Sequence, residues 1–435
     1  MLPIRRIIGD GVALNIIPTD KFKTNCIAVR FLCPTAEETA ALNALLPRVL
    51  KRGCERLPTM ALLVKELQML YGSELQGNVG KVGDSQYFGF VSFPLRDSYA
   101  EGTNLTTEIL SLISELINKP LTENGLLKSE YVESEKRTLT DRVKAAINNK
   151  SSYAIRRCFE EMGKNDPSSI PDTGTVEQIE AITPEALTKR LFDVIKTAQI
   201  EIWCAGVFDR EKLENDCIRL FAGCERKALK LPDTLLIKPS DEINTVTEDH
   251  PVKQGKLALG FTASIPSTPN GAAAFKLFLS VLSSSPTAKL FMNVREKLSL
   301  CYYCHAITNR RKGTVVISSG IEVQNKEMAQ EAILNELEAI KNGEITSEEL
   351  ESARKALINS LKSIDDDELA MINWYSEQLP CGVFVSPEEL LKECLTLTAS
   401  DVASVAAGLK LHTVYFLNGT LVGDDCEDDE EENDE

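Results

Sequence analysis

The sequence predicts an α+β protein of two duplicated domains, each a mainly antiparallel sheet with helices packed on one face. Three observations lead there. The chain has 435 residues, 43% hydrophobic and 26% charged, too many for one compact core. Strand-like alternation and helix-like 3.6-residue periodicity recur in the same order in both halves. Between the halves lies LPDTLLIKPSDEINTVTEDHPVKQG, rich in Pro, Asp and Thr and weakly periodic, as a linker would be.

The first half opens with two alternating strands, GVALNIIPTD and NCIAVRFLCPT. Helices follow over about 36–54 and 58–71, then strands in DSQYFGFVSFP, then helices over about 98–118 and 124–163. In ITPEALTKRLFDVIKTA, Thr183 and Pro184 read as N-cap and first helical residue, and IEIWCAGVF is the strand it feeds. A helix near 209–222 closes the half. The second half repeats the series: strand KLALGFTASIP, helices GAAAFKLFLSVLSS and SPTAKLFMNVREKLS, strands CYYCHAIT and TVVISSGIEV. Helices at about 325–341 and 346–378 lead to TASDVASVAAGL and the terminal strand HTVYFLNG. The expected boundaries are 1–227 for the first domain, 228–250 for the linker, 251–423 for the second domain and 424–435 for a disordered acidic tail.

Composition excludes several function classes. The opening MLPIRRIIGDGVALNII has no apolar core long enough for a signal peptide, and no run approaches a membrane span. Twelve cysteines scattered through a chain without a secretory signal read as reduced thiols, so a cytoplasmic location is expected. Ten of the acids behind the net charge of −17 fall in 424–435, DDCEDDEEENDE, which contains no base. The rest is mildly acidic and lacks the basic footprint of a nucleic-acid binder.

The sharpest motif is Arg-Glu-Lys-x-x-Leu-x-Tyr at 295–302, inside SPTAKLFMNVREKLSLCYY. With two similar halves and the terminal TVYFLNG strand, it gives the chain a resemblance, over nearly its whole length, to the pitrilysin/insulinase family of zinc metallopeptidases. The likeness is to the two-domain subunits that work as dimers, including those like mitochondrial processing peptidase. Active members carry an inverted His-x-x-Glu-His motif on the first helix: two His four apart bind zinc and the Glu acts as general base.

Aligned on the turn at Gly53, that pentapeptide falls on Ala44-Leu45-Leu46-Pro47-Arg48. Ala44 has no lone pair, Pro47 cannot take a proton, and Arg48 brings a cation where a metal would bind. The family's third ligand, a Glu on a later helix, falls on Arg142 in YVESEKRTLTDRV, with Glu135 and Asp141 nearby. The three histidines, His250, His305 and His412, stand far apart and form no zinc-binding pair. Each reads as structural. Cys301 and Cys304 have redox or zinc-knuckle spacing without a second pair, and strand geometry points them to opposite faces. No serine nucleophile elbow or phosphate-binding glycine spacing occurs.

On residue type alone, Arg295 is a solvated helical charge and Tyr302 a core aromatic at a strand start. The resemblance implies a different task, in which both bind the substrate backbone and stabilise the oxyanion in a facing domain. Tyr303 is the alternative if the register slips by one. The expected function is therefore a metal-free subunit that pairs with a zinc-bearing homologue, or with itself, around a peptide substrate. It would need no cofactor of its own, with zinc only in the partner. A stand-alone peptide-binding or structural protein is the alternative, and an enzyme using an unrecognised site is a third class.

Overall fold

The structure is a computed structural model that describes residues 2–264 and 269–421. The expected acidic tail at 424–435 lies outside the described residues. Strands β1 (Ile4–Gly9), β2 (Val12–Pro18), β3 (Cys26–Pro34), β4 (Glu74–Val82), β5 (Ser85–Phe93) and β6 (Gln199–Gly206) build the first sheet. The second holds β7 (Asn244–His250), β8 (Gln254–Ala263), β9 (Cys301–Asn309), β10 (Thr314–Glu322) and β11 (Leu409–Gly419). The helices of the first half are α1 (Glu37–Leu50), α2 (Met60–Met69), α3 (Leu105–Asn118), α4 (Ser129–Ala145), α5 (Lys150–Met162), α6 (Val176–Glu180), α7 (Pro184–Thr197) and α8 (Arg210–Leu220). In the second half they are α9 (Pro269–Leu279), α10 (Lys326–Lys341), α11 (Ser347–Ser363), α12 (Glu368–Ser376), α13 (Pro387–Cys394) and α14 (Ala399–Ala407).

The duplication is visible in the topology. The first sheet runs β1-β2-β6-β3-β5-β4 and the second β7-β11-β8-β10-β9, so the second matches the first with β1 left out. In each sheet one neighbouring pair is parallel, β2 with β6 and β7 with β11, and the other pairs are antiparallel. Each sheet packs one face on its own helices. Ile27, Val29 and Phe31 of β3 meet Leu45 and Val49 of α1 and Ile109 of α3, while Leu257, Leu259 and Phe261 of β8 meet the α9 and α10 side.

The second face of each sheet is covered by one helix from the opposite half. Met371, Ile372 and Tyr375 of α12 pack on Ile17, Cys26, Ala28, Val91 and Trp203 of the first sheet. Reciprocally, Ala154, Ile155, Cys158 and Met162 of α5 cover Ala258, Val316, Tyr415 and Leu417 of the second. This exchange explains why eight consecutive residues of β3, Cys26 to Cys33, are buried, since a strand covered on both faces cannot alternate. Polar contacts lock the crossing. The buried Arg30 guanidinium donates to Ser376 Oγ at 2.9 Å and Asn373 Oδ1 at 2.7 Å and stacks over the Tyr87 ring.

Several elements differ from expectation: β1, β4, α6 and α13 were not expected, and the helix expected over 346–378 is divided into α11 and α12, with Asp367 capping the second. Residues 244–250, expected in the linker, form edge strand β7; only Val246 in NTVTEDH pairs apolar character with β propensity, so its pattern is faint. The single helix expected over 124–163 is a small hairpin followed by α4 and α5. Asn124 and Gly125 take positive φ at the hairpin turn, and the Asn149 side chain caps α5 through Ser152 N at 2.9 Å. The helix expected over SPTAKLFMNVREKLS is wound as a π-helix over Leu290–Lys297.

Candidate functional site

The N-terminal end of α1 suits its dipole, with Glu37 and Glu38 in the first turn and Arg48 in the last. The helix is rotated by a buried polar anchor: Asn43 Nδ2 donates to Gln86 Oε1 at 2.7 Å, and Arg190 Nε donates to Asn43 Oδ1 at 2.8 Å. Gln86 in turn donates to the carbonyls of Ala40 and Asp172. On the turn that follows, Ala44 and Pro47 are buried and Arg48 is half-buried. Pro47 faces edge strand β4, where a Cβ on Gly77 would come within 3.4 Å of the Pro47 Cβ. The loop before α6 closes the same region. Gly174, at φ 72°, passes so near α1 that a Cβ would lie 2.6 Å from Ala41 Cβ.

α4 packs beside α1 and brings Arg142 to Arg48. Burial, with the positive charge of Arg142 added, lowers the Arg48 guanidinium below its ordinary pKa, and Glu135 only partly offsets this. Glu135 is engaged elsewhere: Arg52, in the turn that follows α1, donates to it at 3.1 Å. Lys81 of β4 and Asp172 complete the charged surround. Burial lowers the Lys81 ammonium, which donates to the Ser168 and Ile170 carbonyls, and burial raises the Asp172 carboxyl. Lys81, Asp172 and the Arg52–Glu135 pair carry no local motif, and sequence reasoning did not single them out as a group.

The structure therefore brings Ala44, Pro47, Arg48 and Arg142 into one neighbourhood. These residues do not fit a zinc ion. A structural or catalytic zinc takes Cys, His or carboxylate donors, and these positions present a methyl group, a pyrrolidine ring and, from α1 and α4, two guanidiniums. Among the described residues no cluster of three or more His, Cys, Asp or Glu could hold a metal.

Arg295 and Tyr302 lie in the second half. Arg295 sits on the π-helical segment, 45% exposed, over the Phe291 ring and 3.6 Å from Glu296. Tyr302 is 50% exposed, and its hydroxyl is 3.5 Å from Glu322. It is thus no core aromatic. Tyr303 is the inward residue, tight against Gly320 and below the Lys256 ammonium. The register of β9 against β10 shifts between Cys301 and Tyr303, a bulge that turns Tyr302 outward. The same bulge corrects the expected placement of Cys301 and Cys304 on opposite faces. Both are buried on one side, and their thiols interact, the hydrogen bond from Cys304 lowering Cys301 while Cys304 is raised.

The histidines hold structural positions. His250 packs edge-on to Tyr153, His305 lies beside Tyr303, and His412 Nδ1 is 2.8 Å from Thr413 Oγ1. No helix among the described residues is long and apolar enough to cross a membrane.

Comparison with known proteins points one way. The family model described as the peptidase M16 inactive domain matches residues 181–357. A Bacillus subtilis (strain 168) protein described as probable inactive metalloprotease YmfF is 30% identical over 411 residues, spanning 94% of this chain and 96% of that one. A conserved protein from Enterococcus faecalis V583 shares the fold with a TM-score of 0.90 at 24% identity, over 98% of this chain and 100% of that one. A structure described as a peptidase M16 inactive domain from Pseudomonas fluorescens gives 0.75 at 16% identity, over 98% and 100%.

Proposed function

The chain belongs to the peptidase M16 family, the pitrilysin-type metallopeptidases, and from that premise we propose that it is a metal-free, non-catalytic subunit that pairs with a zinc-bearing homologue. In that assembly it forms half of a peptide-holding chamber and presents Arg295 and Tyr302 to the substrate. One observation carries the reading: two guanidiniums, a proline and an alanine stand where zinc ligands and a general base would be required, while Arg295 and Tyr302 remain half-exposed. That YmfF and the matched family are both described as inactive supports the non-catalytic part of the reading. Because the described cysteines are unpaired thiols, the reading places the subunit in the cytoplasm.

The subunit's part in the chemistry would be binding. An extended peptide in the chamber would be oriented by the Arg295 guanidinium, with the Tyr302 hydroxyl donating to the carbonyl oxygen as charge develops on it. Water activation would belong to the partner.

The test is co-purification from the native host, with zinc measured in each chain and peptide cleavage followed in the complex. The expected result is an assembly in which only the partner holds zinc. There, Arg295→Ala and Tyr302→Phe each lower kcat/KM by about 10²-fold with zinc content and assembly unchanged. Cleavage at the wild-type rate in both variants, or purification without any homologous partner, moves the stand-alone binding protein ahead.

A further inference from the structure

We propose that the cavity at the junction of the two halves binds a small phosphate monoester, whose phosphate is held by Arg310 and Arg311. The inference is separate from the subunit reading, since it needs neither a partner nor Arg295 and Tyr302.

The cavity measures about 510 Å³ and lies on the face of the first sheet that α12 covers, opposite α1. Its floor holds Leu32, two residues beyond Arg30 on β3, and Gln199 and Glu201, on the same side of β6 as Trp203. The second half closes it with Arg310 and Arg311, from the turn before β10, and with Leu379, just after α12. The connecting segment forms the roof with Leu231 and Leu236. Both ends of that roof are fastened: Gln199 Nε2 donates to the Leu229 carbonyl at 2.8 Å, and Leu235 N donates to Asp84 Oδ2 at 3.2 Å. The space is therefore preformed and of a size that takes a small molecule, for which about 300–1,000 Å³ is usual.

Charge selects the ligand. Four cations and two carboxylates line the cavity. Glu201 is engaged by Arg5 at 2.6 and 2.8 Å and by Asn15 at 2.7 Å. Lys230 and Asp233, both exposed on the connecting segment, balance in charge. Arg310 and Arg311 remain, a surplus of two positive charges. Arg311 donates to the Cys381 thiol, a weak acceptor, and the half-buried Arg310 guanidinium makes no ion pair or hydrogen bond among the described residues. Burial and the adjacent Arg311 hold Arg310 below its ordinary pKa, and Cys381 and Glu377 offset only part of this.

A phosphate monoester carries a charge of about −1.5 to −2 at pH 7, which matches that surplus. Its oxygens accept in parallel from planar guanidinium forks, so two adjacent arginines suit it better than they suit the single charge of a carboxylate. The leucines of floor and roof would cover an apolar body attached to the phosphate.

The experiment uses the full chain and isothermal titration calorimetry with phenyl phosphate, inorganic phosphate and phenol. Phenyl phosphate is expected to bind the tightest, inorganic phosphate more weakly for want of the apolar body, and phenol not at all. Arg310→Gln and Arg311→Gln should each weaken phenyl phosphate about tenfold, the loss of one charge-assisted contact. Arg6→Gln, an exposed change on the other side of β1 from Arg5, should leave affinity unchanged. Both test variants should unfold at the wild-type temperature or above, each having lost a like-charge neighbour. In the wild-type chain, phenyl phosphate should also slow proteolysis within 230–236, because the roof residues would pack on it. Absence of phenyl phosphate binding to the wild-type chain overturns the proposal, as does equal affinity for inorganic phosphate. So does binding that survives both test substitutions, or an equal loss with Arg6→Gln.

Discussion

Replacing Lys312 with Met should unfasten the two halves. The Lys312 side chain is 1% exposed, and its ammonium lies 2.6 Å from Asp84 Oδ1 and 2.9 Å from Asp166 Oδ1. Lys312 comes from the turn before β10, Asp84 from the β4–β5 turn and Asp166 from the loop after α5, so one buried cation ties three loops across the junction. The connecting segment is fastened to the same knot: Leu235 N donates to Asp84 Oδ2 and Ile237 N to the Lys312 carbonyl. Lys312→Met keeps the stem volume but strands two carboxylates, one of them 7% exposed. Breaking a buried pair from one side costs about 3–5 kcal/mol. Urea unfolding at neutral pH should show that loss, and protease should cut the segment 228–243 sooner. Adding Asp84→Asn to the variant should recover part of the stability by removing the more deeply buried stranded charge. A loss under about 1 kcal/mol with unchanged proteolysis would refute the reasoning, because exposed pairs contribute only that much.

Two further outcomes follow from the charges. Burial alone would raise the Asp166 carboxyl, yet hydrogen bonds from Ser168 and Lys312 more than offset it, so its folded pKa lies below the ordinary 3.8. The Glu248 carboxyl is likewise held below 4.5 despite burial, by Tyr415 and Arg157. Both contribute stability that is complete above the unfolded pKa and disappears as pH falls through the folded one. Unfolding free energy measured from about pH 7 to about pH 3 should therefore fall, and fall less in Lys312→Met. Separately, Ala44→His, Pro47→Glu and Arg48→His together should bind zinc weakly and cleave little while Arg142 remains. Adding Arg142→Glu should tighten zinc, as metal analysis after dialysis will read, because it supplies the third ligand. Equal zinc content in the two variants would place the third ligand elsewhere.

The repeated order of most elements was legible because those strands and helices carry their own periodicity, and the two halves repeat it. What covers the second sheet faces was not. The contacts of α12 with Trp203 and of α5 with Tyr415 join residues more than 150 positions apart, and no local pattern in either helix names its partner. β7 escaped for a related reason: it is an edge strand whose inward side holds Val246 among polar residues, so pairing with β11 defines it more than composition does. At the candidate site, Ala44, Pro47 and Arg48 stand close together in the chain and could be singled out by spacing, whereas Lys81 and Asp172 reach the same place through the tertiary fold. The bulge at Tyr302 was hidden too, because one extra residue in a strand leaves the sequence pattern intact and reverses which side chain faces out.

The residues that anchor α1 and those of the turn that carries Ala44, Pro47 and Arg48 are separable. Asn43 points to Gln86 and Arg190 and fixes the helix, while the neighbouring turn faces β4 and α4 with little hydrogen bonding of its own. A chain can therefore vary the residues of that turn without losing the fold, which is why architecture alone does not reveal activity. Arg295 and Tyr302 present the converse. The Arg295 contact with Glu296 is exposed, of a kind that contributes at most about 1 kcal/mol, and half of the Tyr302 surface remains in solvent. Folding places few demands on either side chain. Their outward placement on a bulge and a π-helical turn, both geometries that re-aim side chains, supports reading them as contact residues for something outside this chain.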